Sequence, residues 1–178
     1  MLVNLTDVFT SEGKSSTTEF ACPVTETVYE GTAYRLKDCS AVSLQLSCPE
    51  KGKALVEMSL RVTAVLACDR CLREVEYPFD LHIAREVVSP EAATGEQREE
   101  QDAFMEGYEL NIDRLIENEM MVSWPMKVLC RPDCKGLCPV CGKDLNTGAC
   151  GCDTFVPDPR MAAIMDVFHA NANANKEV

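Results

Sequence analysis

The sequence predicts an α+β fold: an antiparallel β-sheet, open or barrel-like, with a few helices and a small cysteine-rich module. Three observations predict it. Apolar and polar residues alternate over long stretches, most clearly from Val56 to Ala64, which is the period of a half-buried strand. Two later stretches, Ile112 to Met120 and Met161 to Phe168, repeat apolar residues at helical spacing instead. Between them lie six of the chain's 11 cysteines, from Cys130 to Cys152. We read residues 1–125 as a mainly β domain, with an acidic loop at 86–109 and a helix at 111–124. Residues 126–157 form the cysteine module, 158–170 a last helix and 171–178 a frayed tail.

Each element has a local reason. Leu2, Val3, Leu5 and Val8 start a strand that the polar run Thr10 to Thr18 closes. From Phe20 to Tyr34, β-branched residues broken by Pro23 and Gly31 read as extended segments. Val42 to Leu46 alternates, and Pro49 to Gly52 makes a turn. The strand through Val56 and Ala64 runs into Ala67-Cys68, and a partner returns from Glu74 to Val88 with Val75, Tyr77, Phe79, Leu81 and Ile83 on one face. Pro78 places that partner at an edge or a bulge, because proline cannot donate to a ladder. Cys68 and Cys71 therefore sit at a hairpin tip. Ser89 to Glu109 is acidic, contains Pro90 and Gly95, and lacks periodicity, so it reads as a loop. Asn111 or Asp113 caps the next helix, whose stripe is Ile112, Leu115, Ile116 and Met120, and Pro125 stops it. Trp124, the single tryptophan, reads as core. Asp158-Pro159 opens the last helix, with Met161, Ile164, Met165 and Phe168 on one face.

The cysteine spacing points to metal. Cys138-Pro139-Val140-Cys141 is a C-x2-C knuckle that aims two thiolates at one ion. Gly142 supplies the left-handed backbone needed after the second sulfur. Cys150 and Cys152, beyond the polar turn Asn146-Thr147-Gly148, supply the other two ligands. A closed four-thiolate site favours structural zinc, although iron accepts the same geometry. A second C-x2-C pair, Cys68 and Cys71, lies upstream. Cys130 and Cys134 are its natural partners, since the six-cysteine run holds two more thiols than one metal uses. The expectation is one or two structural Zn²⁺ ions: Cys138, Cys141, Cys150 and Cys152 at one site, and Cys68, Cys71, Cys130 and Cys134 at a second. Spacing identifies the pairs better than it identifies which pairs share a metal.

Disulfides and a redox-active dithiol are the rivals. The cysteine count is odd, and MLVNLTDVF shows no basic region or long apolar run of a secretory signal. No βαβ pattern surrounds either C-x2-C pair, as a thioredoxin-like motif would require. Cys22, Cys39 and Cys48 fit no metal spacing and read as small buried apolar residues. His82 and His169 read as packed or surface residues rather than ligands.

Composition narrows the function. No apolar run approaches the roughly 20 residues of a membrane helix, and reduced cysteines fit a cytoplasmic location. The formal net charge is −12. Eight thiolates and two Zn²⁺ would take it to about −16. Such a chain suits a basic partner. The charge is unevenly spread: eight acids face Arg98 alone between Glu86 and Glu109, whereas Lys127, Arg131, Lys135 and Lys143 face only Asp133 in the cysteine module. No phosphate-cradling glycine loop, nucleophile elbow or acid–base pair is present, so no reaction class or small-molecule substrate can be named.

Four pieces, in order, carry a resemblance: CDRC (Cys68 to Cys71) followed by EYPF, the helix NIDRLIENEMMVSWPMKVLC, the run CKGLCPVCGKDLNTGACGC and the closing DPRMAAIMDVF. Together they resemble the YceD family of bacterial proteins, also called large ribosomal RNA subunit accumulation proteins, over roughly Val42 to Phe168. The resemblance implies a cytoplasmic, non-catalytic factor in large-subunit assembly. It would support accumulation of the large ribosomal RNA (rRNA) through contacts with a basic ribosomal protein, the rRNA, or both. Members of the family differ in how many of these cysteines they carry, which implies that metal is a stabiliser in this branch. Two other functions compete. One is a thiol redox switch or oxidoreductase using Cys68 and Cys71. The other is a zinc module that binds RNA directly, with Arg70, Arg73, Lys127, Arg131, Lys135 and Lys143 on phosphate.

Overall fold

In the computed structural model, residues 1–153 are described. The chain divides into two compact units, Met1–Cys130 and Arg131–Val178. The first unit is organised around one long strand. The strands in chain order are β1 (Leu2–Asn4), β2 (Ser15–Phe20), β3 (Glu26–Tyr29), β4 (Thr32–Cys39), β5 (Val42–Glu50), β6 (Lys53–Ala67), β7 (Glu74–Val88), β8 (Met105–Glu106) and β9 (Glu109–Asn111). The helices are α1 (Thr6–Thr10), α2 (Gly95–Gln101) and α3 (Ile112–Val122).

β6 forms its strand because its alternation is unbroken. Ala54, Val56, Met58, Leu60, Val62, Ala64 and Leu66 are all buried, while the residues between them face outward. One edge of β6 pairs with β7 along its whole length, from Lys53↔Val88 to Ala67↔Glu74. The other edge is shared: β5 pairs with its first half and β4 with Val62 to Ala64. β2 lies outside β5 and β3 outside β4. All these pairings are antiparallel.

The sheet does not close, which corrects the barrel-like expectation. Among the described residues β7 pairs only with β6. Closure would need a strand along its free edge, and Pro78 offers no N–H there.

Two further expectations are corrected. The N-terminal strand stops at Asn4, and the next residues turn into α1, which buries Phe9. Asn4 Oδ1 accepts the Thr6 N–H at 2.9 Å, diverting the chain out of the strand. The acidic segment after Val88 is not an unstructured loop; it holds α2, β8 and β9. Thr94 caps α2 in a capping box with Gln97, and the buried Gln101 side chain accepts the Val88 N–H at 3.2 Å. β9 joins β1 and β8 in a separate three-stranded sheet.

Asn111 then caps α3, its side chain accepting the Arg114 N–H. Ile112, Leu115, Ile116 and Met120 face the core. Trp124, just past the helix, stacks on Tyr29 at 4.2 Å between ring centroids and also contacts Tyr34 and Phe79. This cluster fixes where the chain leaves α3 and so directs Val128 and Cys130. His82 is exposed on β7. The expected last helix, the frayed tail and His169 lie outside the described residues.

Candidate metal centres

The β6–β7 turn is a tight knuckle. The Cys68 N–H donates to the Arg73 carbonyl at 2.8 Å and the Leu72 N–H to the Cys68 carbonyl at 2.9 Å. Leu72 takes a positive φ of 59°, which lets the chain fold back within four residues and aim both thiols the same way. Cys68 and Cys71 are buried. Asp69, between them, holds the segment that follows α3. Its carboxylate accepts the Val128 N–H at 2.6 Å, and its own N–H donates to the Val128 carbonyl at 2.9 Å. This two-bond clamp brings Cys130 to the knuckle, where its sulfur lies 3.5 Å from that of Cys71. A disulfide is about 2.05 Å long, so these are separate thiols. Two sulfurs bound to one Zn²⁺ at about 2.3 Å are roughly 3.8 Å apart in a tetrahedron, close to what is found here.

The sulfurs of Cys68, Cys71, Cys130 and Cys134 all lie within 4.8 Å of one another. So do those of Cys138, Cys141, Cys150 and Cys152. No disulfide joins any of the 11 cysteines. The donor chemistry fits a metal in both places: four soft sulfurs gathered close together, with no carboxylate among them. Each group could hold a metal ion.

The second knuckle mirrors the first. The Gly142 N–H donates to the Cys138 carbonyl at 2.8 Å and the Cys138 N–H to the Lys143 carbonyl at 2.8 Å. Gly142 has φ of 71°, the left-handed conformation that glycine adopts without strain. The loop beyond it is held by Asp144 and Asn146. Asp144 Oδ1 accepts both the backbone N–H and the side-chain amide of Asn146, at 2.8 Å each. Asn146 Oδ1 accepts from the Lys135 N–H at 2.8 Å and the Arg131 guanidinium at 2.7 Å. Its amide also donates to the Cys134 sulfur at 3.4 Å, a bond that stabilises a thiolate.

The electrostatics of both knuckles favour bound thiolates. Burial pushes the Cys68 thiol up, but hydrogen bonds from the backbones of Cys130, Arg70 and Cys71 outweigh it and bring it down to about 6. Hydrogen bonds from the Cys141 and Val140 backbones bring Cys138 to about 6. Cys152 goes the other way, to about 12, through its hydrogen bond to the Cys141 sulfur and then burial. Without a cation, four crowded sulfurs cannot all ionise. A divalent ion removes that conflict.

Spacing rules left out two residues of these centres, Asp69 and Asn146. Neither is a sulfur donor. Both hold the ligand-bearing chain in place, and their only sequence signal is their position inside the knuckle and the turn. The basic residues of the module are partly used at home: Arg131 also pairs with Asp133 at 3.4 Å, and Lys143 donates to the Ala149 carbonyl at 3.0 Å.

The profile of a family described as "Large ribosomal RNA subunit accumulation protein YceD" matches residues 56–168. That span includes all eight clustered cysteines. An uncharacterized protein of Mycobacterium bovis is 27% identical over 158 residues, covering 78% of this chain and 75% of its own. Uncharacterized proteins from two strains of Mycobacterium tuberculosis match to the same extent. No solved structure matches the chain. No helix among the described residues is long and apolar enough to cross a membrane.

Proposed function

The chain belongs to the YceD family of large ribosomal RNA subunit accumulation proteins, and from that membership we propose that it is a non-catalytic factor in building the large ribosomal subunit, with structural zinc holding its shape. The family match over residues 56–168 carries this reading. Both cysteine groups support the non-catalytic part, because four thiolates fill a zinc ion's coordination and leave no position for a substrate. Zinc at Cys68, Cys71, Cys130 and Cys134, and at Cys138, Cys141, Cys150 and Cys152, would supply cross-links rather than chemistry.

The chain works by contact. α2 presents Glu96, Glu99 and Glu100, followed by Asp102, to solvent. An ordered acidic face of this kind suits a basic ribosomal protein, and a cytoplasmic location goes with that role. The direct RNA-binding alternative is less favoured, since Arg131 and Lys143 are engaged within the cysteine module.

The test is removal of the gene in its host followed by measurement of large-subunit against small-subunit rRNA. The large-subunit rRNA should fall selectively and recover when the full chain is restored. An unchanged ratio would reject the assembly role. Zinc is tested separately by elemental analysis of untagged protein. Two zinc ions per chain are expected, with eight thiols becoming reactive on chelation. One zinc, with Cys68 and Cys71 already reactive, would confine the metal to the Cys138 group and favour redox chemistry at the hairpin tip.

A further inference from the structure

Three cysteines stand outside both metal groups, and two of them meet. Cys22 lies between β2 and β3, and Cys39 is the last residue of β4. Their sulfurs point at the same atom: Cys22 Sγ is 3.7 Å and Cys39 Sγ 3.6 Å from the Val24 carbonyl oxygen. The expectation that these cysteines are simply buried is corrected for this pair, since Cys39 is exposed and Cys22 half-buried; Cys48 is buried.

The fold explains the meeting. Along β4 the register with β6 slips between Leu36 and Asp38. Leu36 faces Ala64 and Cys39 faces Val62. Cross-strand partners share a face, and residues two apart on β6 share one too. The extra residue therefore turns Cys39 to the same face as Leu36, although three positions separate them. Val24 is buried on the core, and the Leu36 N–H donates to the Thr25 carbonyl at 3.0 Å. These contacts hold the segment carrying Cys22 beside the end of β4.

We propose that Cys22 and Cys39 form a modification site of their own, a dithiol that closes to a disulfide when a small-molecule disulfide oxidises it. The exchange balances in two steps. One cysteine loses its proton, and its sulfur attacks the oxidant RSSR; the R–S–S–R bond breaks, RS⁻ leaves and a mixed disulfide remains. The second cysteine then loses its proton and attacks the bound protein sulfur, forming Cys22–Cys39 and expelling the second RS⁻. The protein loses two hydrogens and the oxidant becomes two RSH.

Burial, and then a hydrogen bond with the Cys22 sulfur, push the Cys39 thiol up to about 12. A thiol that keeps its proton attacks slowly, so an exchange led by Cys39 is slow. It lies apart in sequence from the clustered cysteines, so its closure need not disturb a metal.

The test uses the full chain as purified, exposed to oxidised glutathione, then alkylated, digested and mapped by mass spectrometry. The expected product is a Cys22–Cys39 cross-linked peptide, two hydrogens lighter than the reduced pair, with the metal content unchanged. Cys22→Ser and Cys39→Ser should each trap one glutathione on the remaining cysteine. Glutathione on both cysteines of the wild type without a cross-link would overturn the proposal. So would alkylation of both thiols after oxidation that has already released metal from the clustered cysteines. Both readouts come from the wild-type chain, so they stand even where a variant fails to fold.

Discussion

The two four-cysteine groups are built in opposite ways. The Cys138 group takes all its sulfurs from one short run, Cys138 to Cys152. The other group joins a hairpin tip to Cys130, 59 positions beyond Cys71. Their surroundings differ as well. Cys68, Cys71 and Cys130 belong to a unit with its own apolar core, which includes Leu60, Leu81, Leu115 and Met120. The described residues from 131 onward contain no helix or extended strand, only the isolated bridge Leu137↔Asp144. With metal bound, the long-range group would cross-link structure that burial already stabilises, while the local group would create structure where burial is scarce. Segments with too little core depend on a metal in this way.

Metal removal should separate the two most sharply. Chelation should abolish ordered amide signals from 131–153 while the β6–β7 ladder keeps its hydrogen-exchange protection; loss of both together would end the comparison. Single cysteine variants sharpen it. Cys138→Ser should cost one metal per chain and disorder its loop, since a structural zinc contributes on the order of 10 kcal/mol to such folding. Cys71→Ser should also cost one metal but leave the sheet intact, lowering the melting temperature by only several degrees.

Asn146→Ala comes next. It removes the amide donor to Cys134 and the acceptor for Lys135 and Arg131. Losing such supporting bonds commonly weakens metal affinity about 10–100-fold, which competition with a chromogenic chelator would read. The Asp69 clamp should matter less: Asp69→Ala leaves the Val128 N–H without its side-chain partner, at a cost of about 1–3 kcal/mol, measured by denaturant unfolding. The smallest effect concerns binding. Charge reversal at Glu99, Glu100 and Asp102 should weaken association with a basic ribosomal protein about tenfold at low salt and less at high salt. Unchanged affinity would remove α2 from the interaction.

How much could be read in advance follows from the same contrast. β6 and β7 were legible because Val56 to Ala64 and Val75 to Ile83 alternate without a break, a pattern with one interpretation. α3 was legible from its cap and its apolar stripe. α1 was not, because five residues starting Thr-Asp-Val are too short to show a period. α2 was hidden by its acidic composition, although Thr94 and Gln97 carry a capping-box signature. Sheet closure could not be read at all, since it depends on which edge finds a partner rather than on any local pattern. C-x2-C spacing names pairs of thiols, but which pairs come together depends on the hairpin and on the route the chain takes after α3. Cys22 and Cys39 needed a register slip that no spacing rule contains.

Trp124 gives this chain a built-in optical probe. As the only indole, stacked on Tyr29 and touching Tyr34 and Phe79, it will collect excitation energy from its tyrosine neighbours and emit according to the polarity of one site. That site is six residues before Cys130, so its emission should shift when the hairpin clamp opens and stay constant when only the Cys138 group is emptied. One fluorescence trace, followed during metal loss, would then show in which order the two centres let go.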